Sequence, residues 1–358
     1  MRRIVLKTIL LGGRYAVLPV VALAGVLLFV WLLALDRYTI SALVTAPVVF
    51  CVATAAIALA LGILLLPSRT ERNVKADEDD APGLWAMWKE LDPAFTRSGR
   101  TLLIDTNFNA SIMEASRYTG LFGRHVTMTV GLPMLIILDQ RAIRAIIAHE
   151  VAHAQLRHTS GGANLVDFIT ASENVLHYAD PDRTITGRIA RTLLNSLLQW
   201  LEQEHRALSR ENELCADQGA ANQVGRDEAA RALVLTEAAG ARLADLVYKP
   251  LEEEMLGATK APASPLQRMF NQREEIRAPE QLAIAAAAAL KHELDPESTH
   301  PPFSKRLANL GFTAIPPIDQ VQTSAIDELL SRKAVAELPA RFDDEWRKRV
   351  RDWVSVGR

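Results

Sequence analysis

The sequence predicts a helix-dominated α+β protein, with two apolar helices at its N-terminus and one small β-sheet ahead of a long helix. Three observations support this prediction. Two long uncharged runs lie within the first 66 residues, β-like segments fall between residues 101 and 130, and helical periodicity dominates from residue 140 onward. At 358 residues, the chain has room for one large domain with an accessory element, or for two modest domains.

Charge and cysteine content narrow the possible classes of protein. The chain carries 40 basic and 42 acidic residues and has a net charge of −2, so we expect no nucleic-acid partner. The two cysteines, Cys51 and Cys215, lie far apart in sequence. A disulfide framework is therefore not expected, and a reducing compartment is compatible with the composition.

The two apolar runs predict a transmembrane hairpin in residues 1–66. Neither Tyr15–Leu35 nor Ile40–Leu66 contains a charged residue. About 20 helical residues cross a hydrocarbon core of roughly 30 Å, so each run is long enough to span it. Residues 36–39, which separate the runs, suffice only for a tight turn. We therefore expect the chain to bind the lipid bilayer through two spans.

Two other interpretations of these runs fit less well. A cleaved secretory signal would match the basic residues that precede the first run. However, that run continues past Ala22 and Ala24, the small residues where cleavage would occur, and a second run follows it. A buried helical hairpin would be unusual, because helices that are apolar on all sides over this length are rare in soluble domains.

Basic residues flank the hairpin on one side of the membrane. They are Arg2, Arg3, Lys7 and Arg14 before the first run and Arg69, Arg72 and Lys75 after the second. The turn between the runs carries one Arg and one Asp. The positive-inside rule then places both termini, and everything after residue 67, on the cytoplasmic side of the cell (inner) membrane.

The remaining chain divides into three predicted segments. Residues 67–83 are polar, include four consecutive acidic residues, and are predicted to form a linker. Residues 84–312 are predicted to form the main domain, and residues 313–358 a C-terminal helical extension. The basic helix of this extension carries Trp residues. It either packs onto the domain in the ordinary way or binds at the membrane surface, and the sequence leaves both alternatives open.

Strands precede the long helix, and helices follow it. The predicted strands are Thr101–Asp105, Asn109–Met113 and His125–Val130. Asp139 is placed to cap the long helix, which is predicted over Gln140–His158. The later predicted helices are Leu193–His205, Ser209–Val224, Asp227–Leu246, Gln281–Leu294 and Glu345–Val354.

The long helix carries the string His149-Glu150-Val151-Ala152-His153. Residues four apart lie one helical turn above each other, so both imidazoles point to the same side and can bind one metal ion at about 2.0–2.1 Å. Glu150 follows the first histidine, and its carboxylate lies beside the open coordination position, where it can accept a proton from water. The competing interpretation is a pair of surface histidines on an amphipathic helix.

Two histidines are too few to hold zinc, so a third ligand is needed. The metzincin pattern is excluded, because its Gly and His positions hold Leu156 and Thr159. His158 lies about 140° around the helix from the second histidine and is interpreted as structural. Glu213 and Asp217 lie four apart on one helical face, so one carboxylate could bind zinc while the other accepts the spare N–H of a ligand histidine. We favour Glu213 as the ligand, against the alternative of a plain acidic helix.

Five short motifs occur in order along the chain. They are Asn109-Ala110-Ser111, Val130-Gly131-Leu132, His149-Glu150-x-x-His153-x4-His158, Glu213-x-x-Ala216-Asp217 and Ser298-Thr299-His300-Pro301-Pro302-x3-Arg306. As an ordered set they resemble those of the HtpX-like membrane zinc metallopeptidases, which are relatives of the CAAX prenyl endopeptidases and of the periplasmic peptidase BepA. The resemblance covers roughly residues 84–312 and implies a zincin-type catalytic domain with its sheet before the zinc-binding helix.

The resemblance implies roles for the residues of these motifs. One Zn²⁺ per chain would be held by His149, His153 and Glu213, with Glu150 as the general base. Asp217 would not bind the metal itself but would accept a hydrogen bond from one of the ligand histidines.

Four further residues receive roles from the resemblance alone. His300 would lie near the metal, either as a catalytic group or as an inhibitory fourth ligand, and Arg306 would aid transition-state or substrate binding. Asn109 and Ala110 would belong to an edge strand onto which an extended substrate adds through main-chain hydrogen bonds.

The predicted function is that of a membrane-anchored zinc endopeptidase acting on protein or peptide substrates, with protein quality control as the implied setting. HtpX proteins usually carry two more spans between the second histidine and the third ligand. Here residues 159–208 contain several acidic and basic residues and are not expected to cross a bilayer. The alternative is a catalytically silent membrane scaffold or interaction protein that keeps the peptidase fold. The oligomeric state is not predicted.

Overall fold

The chain divides into two compact units. The computed structural model describes residues 2–35, 40, 44–45, 47, 49, 57–64, 74–97, 99–117, 122–160, 162–180, 182–256, 258 and 260–356. Unit 1 consists of Met1–Glu71 and Arg157–Ser209, and unit 2 of Arg72–Leu156 and Arg210–Arg358. The predicted turn at 36–39 and most of the predicted run 40–66 lie outside the described residues.

Helices make up most of the described chain. They are α1 (Arg2–Gly12), α2 (Leu18–Leu35), α3 (Pro82–Leu91), α4 (Leu132–Ile137), α5 (Gln140–Ser160), α6 (Gly162–Ala179), α7 (Ile185–Val224), α8 (Arg226–Leu243), α9 (Lys249–Leu256), α10 (Pro265–Ile276), α11 (Pro279–Ala289), α12 (Phe303–Asn309), α13 (Ala325–Leu329) and α14 (Arg332–Val356). Residues 57–64 are also helical. The strands are β1 (Val74–Ala76), β2 (Gly99–Asp105), β3 (Ala110–Arg117) and β4 (Phe122–Gly131).

The strands form one mixed sheet in unit 2 with the order β1-β2-β4-β3. β2 and β4 pair in parallel, whereas β1 pairs antiparallel with β2 and β3 pairs antiparallel with β4. The prediction of a helix-dominated protein with a small sheet ahead of the long helix is confirmed. β3 lies at an edge of this sheet.

Residues 67–83, predicted as a linker, contain the strand β1. Its first and third residues, Val74 and Ala76, are buried, and the residue between them is exposed.

The core of unit 2 extends beyond the predicted main domain. Buried residues of the sheet, such as Leu102 and Met128, belong to one cluster with residues of the predicted C-terminal extension. Those residues are Val321, Ala325, Ile326, Leu329, Leu330, Ala334, Leu338 and Phe342. Residues 313–358 therefore complete the core around the sheet, and α14 packs onto it through its apolar face.

Hydrogen bonds fix the start of the long helix α5. The Ala142 N–H donates to Asp139 Oδ1 over 2.9 Å, which confirms the predicted cap. Arg231 of α8 donates to both oxygens of Asp139, with Nη2 to Oδ2 at 2.6 Å. Just before this point, Arg277 Nε donates to the Ile137 carbonyl at the end of α4 over 2.8 Å. Two buried guanidiniums thus hold the entry into α5.

Gly131 allows β4 to approach the chain that leads into β3. A Cβ at this position would lie 1.7 Å from the carbonyl oxygen of Asn107, so only glycine fits. Its N–H donates to the Asn109 carbonyl over 2.8 Å. This contact fixes the start of the edge strand against the strand that continues into α4 and α5.

The prediction of two helices over Leu193–His205 and Ser209–Val224 is wrong, because α7 is one helix of 40 residues. The intervening Arg-Ala-Leu has high helix propensity, so Ser209 does not begin a new helix. Glu213 therefore lies deep inside a long helix and far from a frayed end.

Unit 1 has an apolar cluster of its own. It joins N-terminal residues such as Ile9 and Val17 to residues of α6 and of the first half of α7, such as Phe168 and Leu198. α2 is apolar on all sides, and several of its large side chains are more than half exposed: Leu23, Val26, Leu27, Phe29 and Val30.

No described helix by itself combines the length and the apolar character that a bilayer crossing requires. One bent pair, Arg3–Val17 and Val21–Leu33 with 60° between them, meets both requirements together by length and composition. The two-span hairpin therefore stays a prediction. The side chain of His158, interpreted as structural, lies outside the described part of the chain.

Candidate metal centre

The two histidines of the His-Glu-x-x-His string lie on one side of α5. Successive helical residues are about 100° apart, so His149 and His153 lie opposite the buried Ile147 and Val151. Their rings meet edge to face, with the centroids 4.5 Å apart. Both side chains are largely buried, which keeps the nitrogen atoms in a defined position.

α7 brings one carboxylate to both imidazoles. Glu213 Oε1 lies 3.1 Å from His153 Nε2, and Glu213 Oε2 lies 3.4 Å from His149 Nε2. The Glu213 side chain is 6% exposed. The structure thus brings the residue favoured as third ligand into contact with the two histidines.

These three side chains fit a zinc ion. One donor atom from each lies within 4.8 Å of the other two. Ligand atoms about 2.0–2.1 Å from a tetrahedral zinc ion lie about 3.4 Å apart, close to the separations between Glu213 and the imidazoles. In addition, Glu213 Oε2 is buried and, although it lies 3.4 Å from His149 Nε2 and 3.3 Å from Arg306 Nη2, no donor among the described residues meets it with hydrogen-bond geometry. A buried oxygen in this state is suited to a metal ion.

Asp217 and Arg306 support the three candidate ligands. Asp217 lies one helical turn after Glu213, and its Oδ1 is 3.1 Å from His149 Nδ1, so Nε2 is the nitrogen that faces the metal position. Arg306 of α12 donates to both oxygens of Asp217, from Nε over 2.9 Å and from Nη2 over 2.6 Å. Its Nη2 also lies 3.3 Å from Glu213 Oε2. One guanidinium therefore balances two buried carboxylates.

The close charges shift the pKa values of the cluster. Burial raises the pKa of Glu213, but hydrogen bonds from the histidines outweigh burial and hold it far below its usual range. Burial also raises the pKa of Asp217, and the hydrogen bond from Arg306 brings it below the ordinary value. Burial lowers the pKa of His149, yet its contacts with Asp217 and Glu213 raise it to about 9. The protonated form of His149 is thereby favoured in the metal-free protein, and a metal ion bound to this imidazole would have to displace the proton.

His300 reaches the cluster from the loop that precedes α12. Its Nδ1 lies 3.1 Å from Glu213 Oε1, and its side chain is 62% exposed. The His300 N–H donates to Ser298 Oγ over 3.1 Å, and Arg210 donates to the Ser298 carbonyl over 2.9 Å. Because Arg210 belongs to α7, the helix that carries Glu213 also holds this loop. These roles of Arg210 and Ser298 were not predicted from the sequence, where Ser298 is marked by its place in the closing motif but nothing pairs it with Arg210.

Glu150 is half-buried beside His149 on α5. Across the described residues its carboxylate has no hydrogen bond or ion pair. Unlike the carboxylates of Glu213 and Asp217, it is therefore not held by a neighbouring side chain in the described part of the chain.

Asn109 and Ala110 lie where β3 begins. The Ala110 N–H donates to Asn109 Oδ1 over 2.9 Å, and the Asn109 carbonyl accepts from Gly131. These hydrogen bonds join residues of the sheet and of the segment that leads into β3, and neither involves a residue of the metal cluster. The structure places both residues at the edge strand and not in the cluster itself.

A model of peptidase family M48 matches residues 106–313, which is more than half of the chain and includes every residue of the metal cluster. The chain belongs to peptidase family M48. Members of this family are zinc-dependent peptidases, and His149, His153 and Glu213 of this M48 chain form a group that could hold such an ion. The resemblance to HtpX-like zinc metallopeptidases is thereby confirmed at the level of the family.

One solved structure to which this M48 chain is similar is the crystal structure of Ste24p from S. mikatae. The two are 14% identical with a TM-score of 0.33, and the match covers 81% of this chain and 62% of that one. The chain thus spans less than two thirds of the length of Ste24p. No curated protein matches the sequence closely enough to count as a relative.

Proposed function

We propose that this M48 protein is an endopeptidase that cleaves internal bonds of extended protein or peptide segments, with one zinc ion and with Glu150 as the general base. The observation that supports this most is the position of Glu213, whose oxygens lie 3.1 and 3.4 Å from the Nε2 atoms of the two helix histidines. Two imidazoles and one carboxylate are a donor set of catalytic zinc sites, which keep one position for water or substrate.

In this proposal His149, His153 and Glu213 hold the ion. When bound, zinc acidifies a water molecule and polarises the scissile carbonyl group. Asp217 accepts the Nδ1–H of His149 and so directs Nε2 towards the metal position. Arg306 holds Asp217 in this orientation through two hydrogen bonds.

Glu150 takes the proton from the attacking water while the water oxygen bonds to the scissile carbon. It then passes the proton to the amide nitrogen, the C–N bond breaks, and a carboxylic acid and an amine form; the acid then gives up its proton, and the products leave as a carboxylate and an ammonium group. The half-buried position of Glu150 directly after His149, with no hydrogen bond or ion pair holding its carboxylate elsewhere among the described residues, supports this role.

We assign oxyanion stabilisation to His300 and not to Arg306. The guanidinium of Arg306 is already bound to both oxygens of Asp217 and lies against Glu213, whereas His300 contacts Glu213 through Nδ1 alone and its imidazole is largely exposed next to the metal position. A donor at this position can be aimed at the negative charge that develops in the transition state. The alternative role of His300 is that of a fourth ligand that keeps the resting site closed.

Substrate binding is assigned to β3. Among the described residues β3 is an edge strand of the sheet, and an extended peptide could add to it as a further strand, beginning near Asn109 and Ala110. Main-chain pairing of this kind needs no chain terminus and little side-chain selectivity. It therefore supports cleavage inside chains and not only at their ends.

We further propose that the N-terminal helices anchor the protein in the cell (inner) membrane, with the catalytic domain in the cytoplasm. The two apolar runs, their basic flanks and the exposed apolar side chains of α2 support this proposal. A peptidase held there would meet membrane and cytosolic proteins as substrates, which suits a role in protein quality control.

Casein hydrolysis by the purified protein tests the proposed activity. We expect hydrolysis that stops when a chelator removes the metal and returns when zinc is restored. Labelling of the new amino termini should show cuts inside the casein chains. A protein that holds one zinc ion and leaves casein intact would support the alternative, a catalytically silent membrane scaffold.

A further inference from the structure

Helices α5 and α7, which carry the proposed metal ligands, meet at Gly219. This residue lies six positions after Glu213 and two after Asp217. A Cβ added to Gly219 would lie 2.6 Å from the Cβ of Ala152, the residue directly before His153. The two helices therefore approach each other so closely at this point that no side chain fits at residue 219.

The contact cannot be relieved by a side-chain rotation. The Cβ of Ala152 is fixed to its own backbone, and the residue is 5% exposed. Carbon atoms pack at about 3.5–4.0 Å, so a methyl group on Gly219 would force the helices apart by about 1 Å. Metal sites keep their ligand distances within about 0.2 Å, and functional geometry within about 0.5 Å. The displacement would therefore exceed what the zinc site tolerates.

Close approach, and not backbone conformation, is the reason for a glycine at this position. The described glycines with positive φ are Gly13, Gly225 and Gly311, and Gly219 is not among them. In a helix interior, glycine is less favourable than alanine. Gly219 thus lowers the helix propensity of α7 at a point where alanine would fit the backbone but not the space.

We infer that Gly219 is a positioning residue for the zinc site. Its missing side chain sets the spacing between α5 and α7, and through that spacing the distance from Glu213 and Asp217 to the two histidines. Ala216 and Ala220, on the same part of α7, are buried as well, so the neighbouring surface leaves no space into which the helices could shift. The inference rests on the proposed function, because it concerns the same zinc site.

The zinc affinity of the purified protein, measured by competition with a chromophoric chelator, tests this inference. We expect Gly219→Ala to bind zinc about 10- to 100-fold more weakly, as is usual when contacts that orient metal ligands are disturbed. The double variant Gly219→Ala/Ala152→Gly moves the methyl group from one helix to the other. It should recover the wild-type affinity, since the helix propensity lost at one position is gained at the other.

Gly240→Ala is the matched control. Gly240 also lies inside a helix, α8, but a Cβ there would be 3.8 Å from the nearest atom of Phe108, an ordinary contact. This variant should bind zinc as the wild type does. Circular dichroism of each metal-free variant establishes that the compared proteins are folded.

Wild-type zinc affinity in folded Gly219→Ala would overturn the inference, and so would a change confined to the stability of the metal-free protein. If Gly219→Ala does not fold, the double variant decides: recovered folding and affinity support the inference, and failure of either overturns it. A wild-type protein that binds no zinc would instead overturn the proposed function itself.

Discussion

Arg306 and Asp217 form a two-point ion pair beside the candidate zinc ligands, with Nε–Oδ2 at 2.9 Å and Nη2–Oδ1 at 2.6 Å. The side chains are 16% and 5% exposed. Burial lowers the pKa of Arg306, but the hydrogen bond and charge of Asp217 raise it above the ordinary value. One permanent cation in α12 therefore fixes the acidic face of α7.

Replacing Arg306 with Met should destabilise the metal-free protein, because Asp217 and Glu213 would lose their shared counter-charge. Removing one partner of a buried ion pair costs about 3–5 kcal/mol. Urea unfolding in the presence of a chelator measures the loss. Arg306→Lys keeps the charge but loses the two-point geometry, so its free energy of unfolding should lie between those of the wild type and Arg306→Met. Equal stability of Arg306→Met and the wild type would contradict this role.

His300→Ala should lower kcat about 10²- to 10³-fold at unchanged zinc content, because a donor to the oxyanion would be lost. The measurement is steady-state hydrolysis of a fluorogenic peptide together with metal analysis of the same sample. His292→Ala is the control, since His292 is an exposed histidine eight residues earlier. Higher basal activity in His300→Ala would contradict the catalytic role and favour the inhibitory fourth ligand.

Leu329→Ala should lower the free energy of unfolding by about 2–5 kcal/mol, because Leu329 is 1% exposed in the core that surrounds the sheet. Ile284→Ala, at a position 63% exposed, should change it by less than about 0.5 kcal/mol. Urea unfolding compares the two. Equal effects would contradict the assignment of residues 313–358 to the core of unit 2.

Asp319 provides a contact whose strength depends on pH. Burial raises its pKa, but the hydrogen bond and charge of Arg231, followed by those of Arg141, outweigh burial and lower it below the ordinary value. A carboxyl group with a depressed folded pKa contributes stability above its unfolded pKa of about 3.9, and loses that contribution as the pH falls through the folded value.

Asp319→Asn should therefore be less stable than the wild type at neutral pH, and the difference should shrink as the pH falls below about 4. Because the Asp319 side chain is 51% exposed, solvent screening keeps the effect small. Urea unfolding at several pH values measures it. A difference that grows towards acid pH would contradict the assigned ion pairs.

The parts of the site that lie within one helical turn could be predicted from the sequence. His149, Glu150 and His153 share a local spacing that dictates a common side of α5. Glu213 was favoured as the third ligand because it shares one helical face with Asp217 and because the two histidines need a further ligand. The spacing of the two carboxylates alone does not distinguish them from those of an ordinary acidic helix, and the family resemblance implied the same ligand. Contacts such as that of Gly219 with Ala152 join distant segments and leave no periodic pattern.

The same limit applies to the fold. The sheet and the Asp139 cap were predictable, because alternation and capping are local signals. β1 has three residues, too few for alternation to reveal it. An amphipathic pattern in residues 313–358 predicted helices, but it does not identify the core against which they pack.

The most direct test of the account compares Glu150→Gln with the wild type, each loaded with one zinc ion per chain. The substitution leaves His149, His153 and Glu213 in place, so we expect unchanged zinc affinity and casein hydrolysis lower by about 10²-fold or more. Retained hydrolysis in the zinc-loaded Glu150→Gln protein would contradict the central claim that Glu150 is the general base of this site.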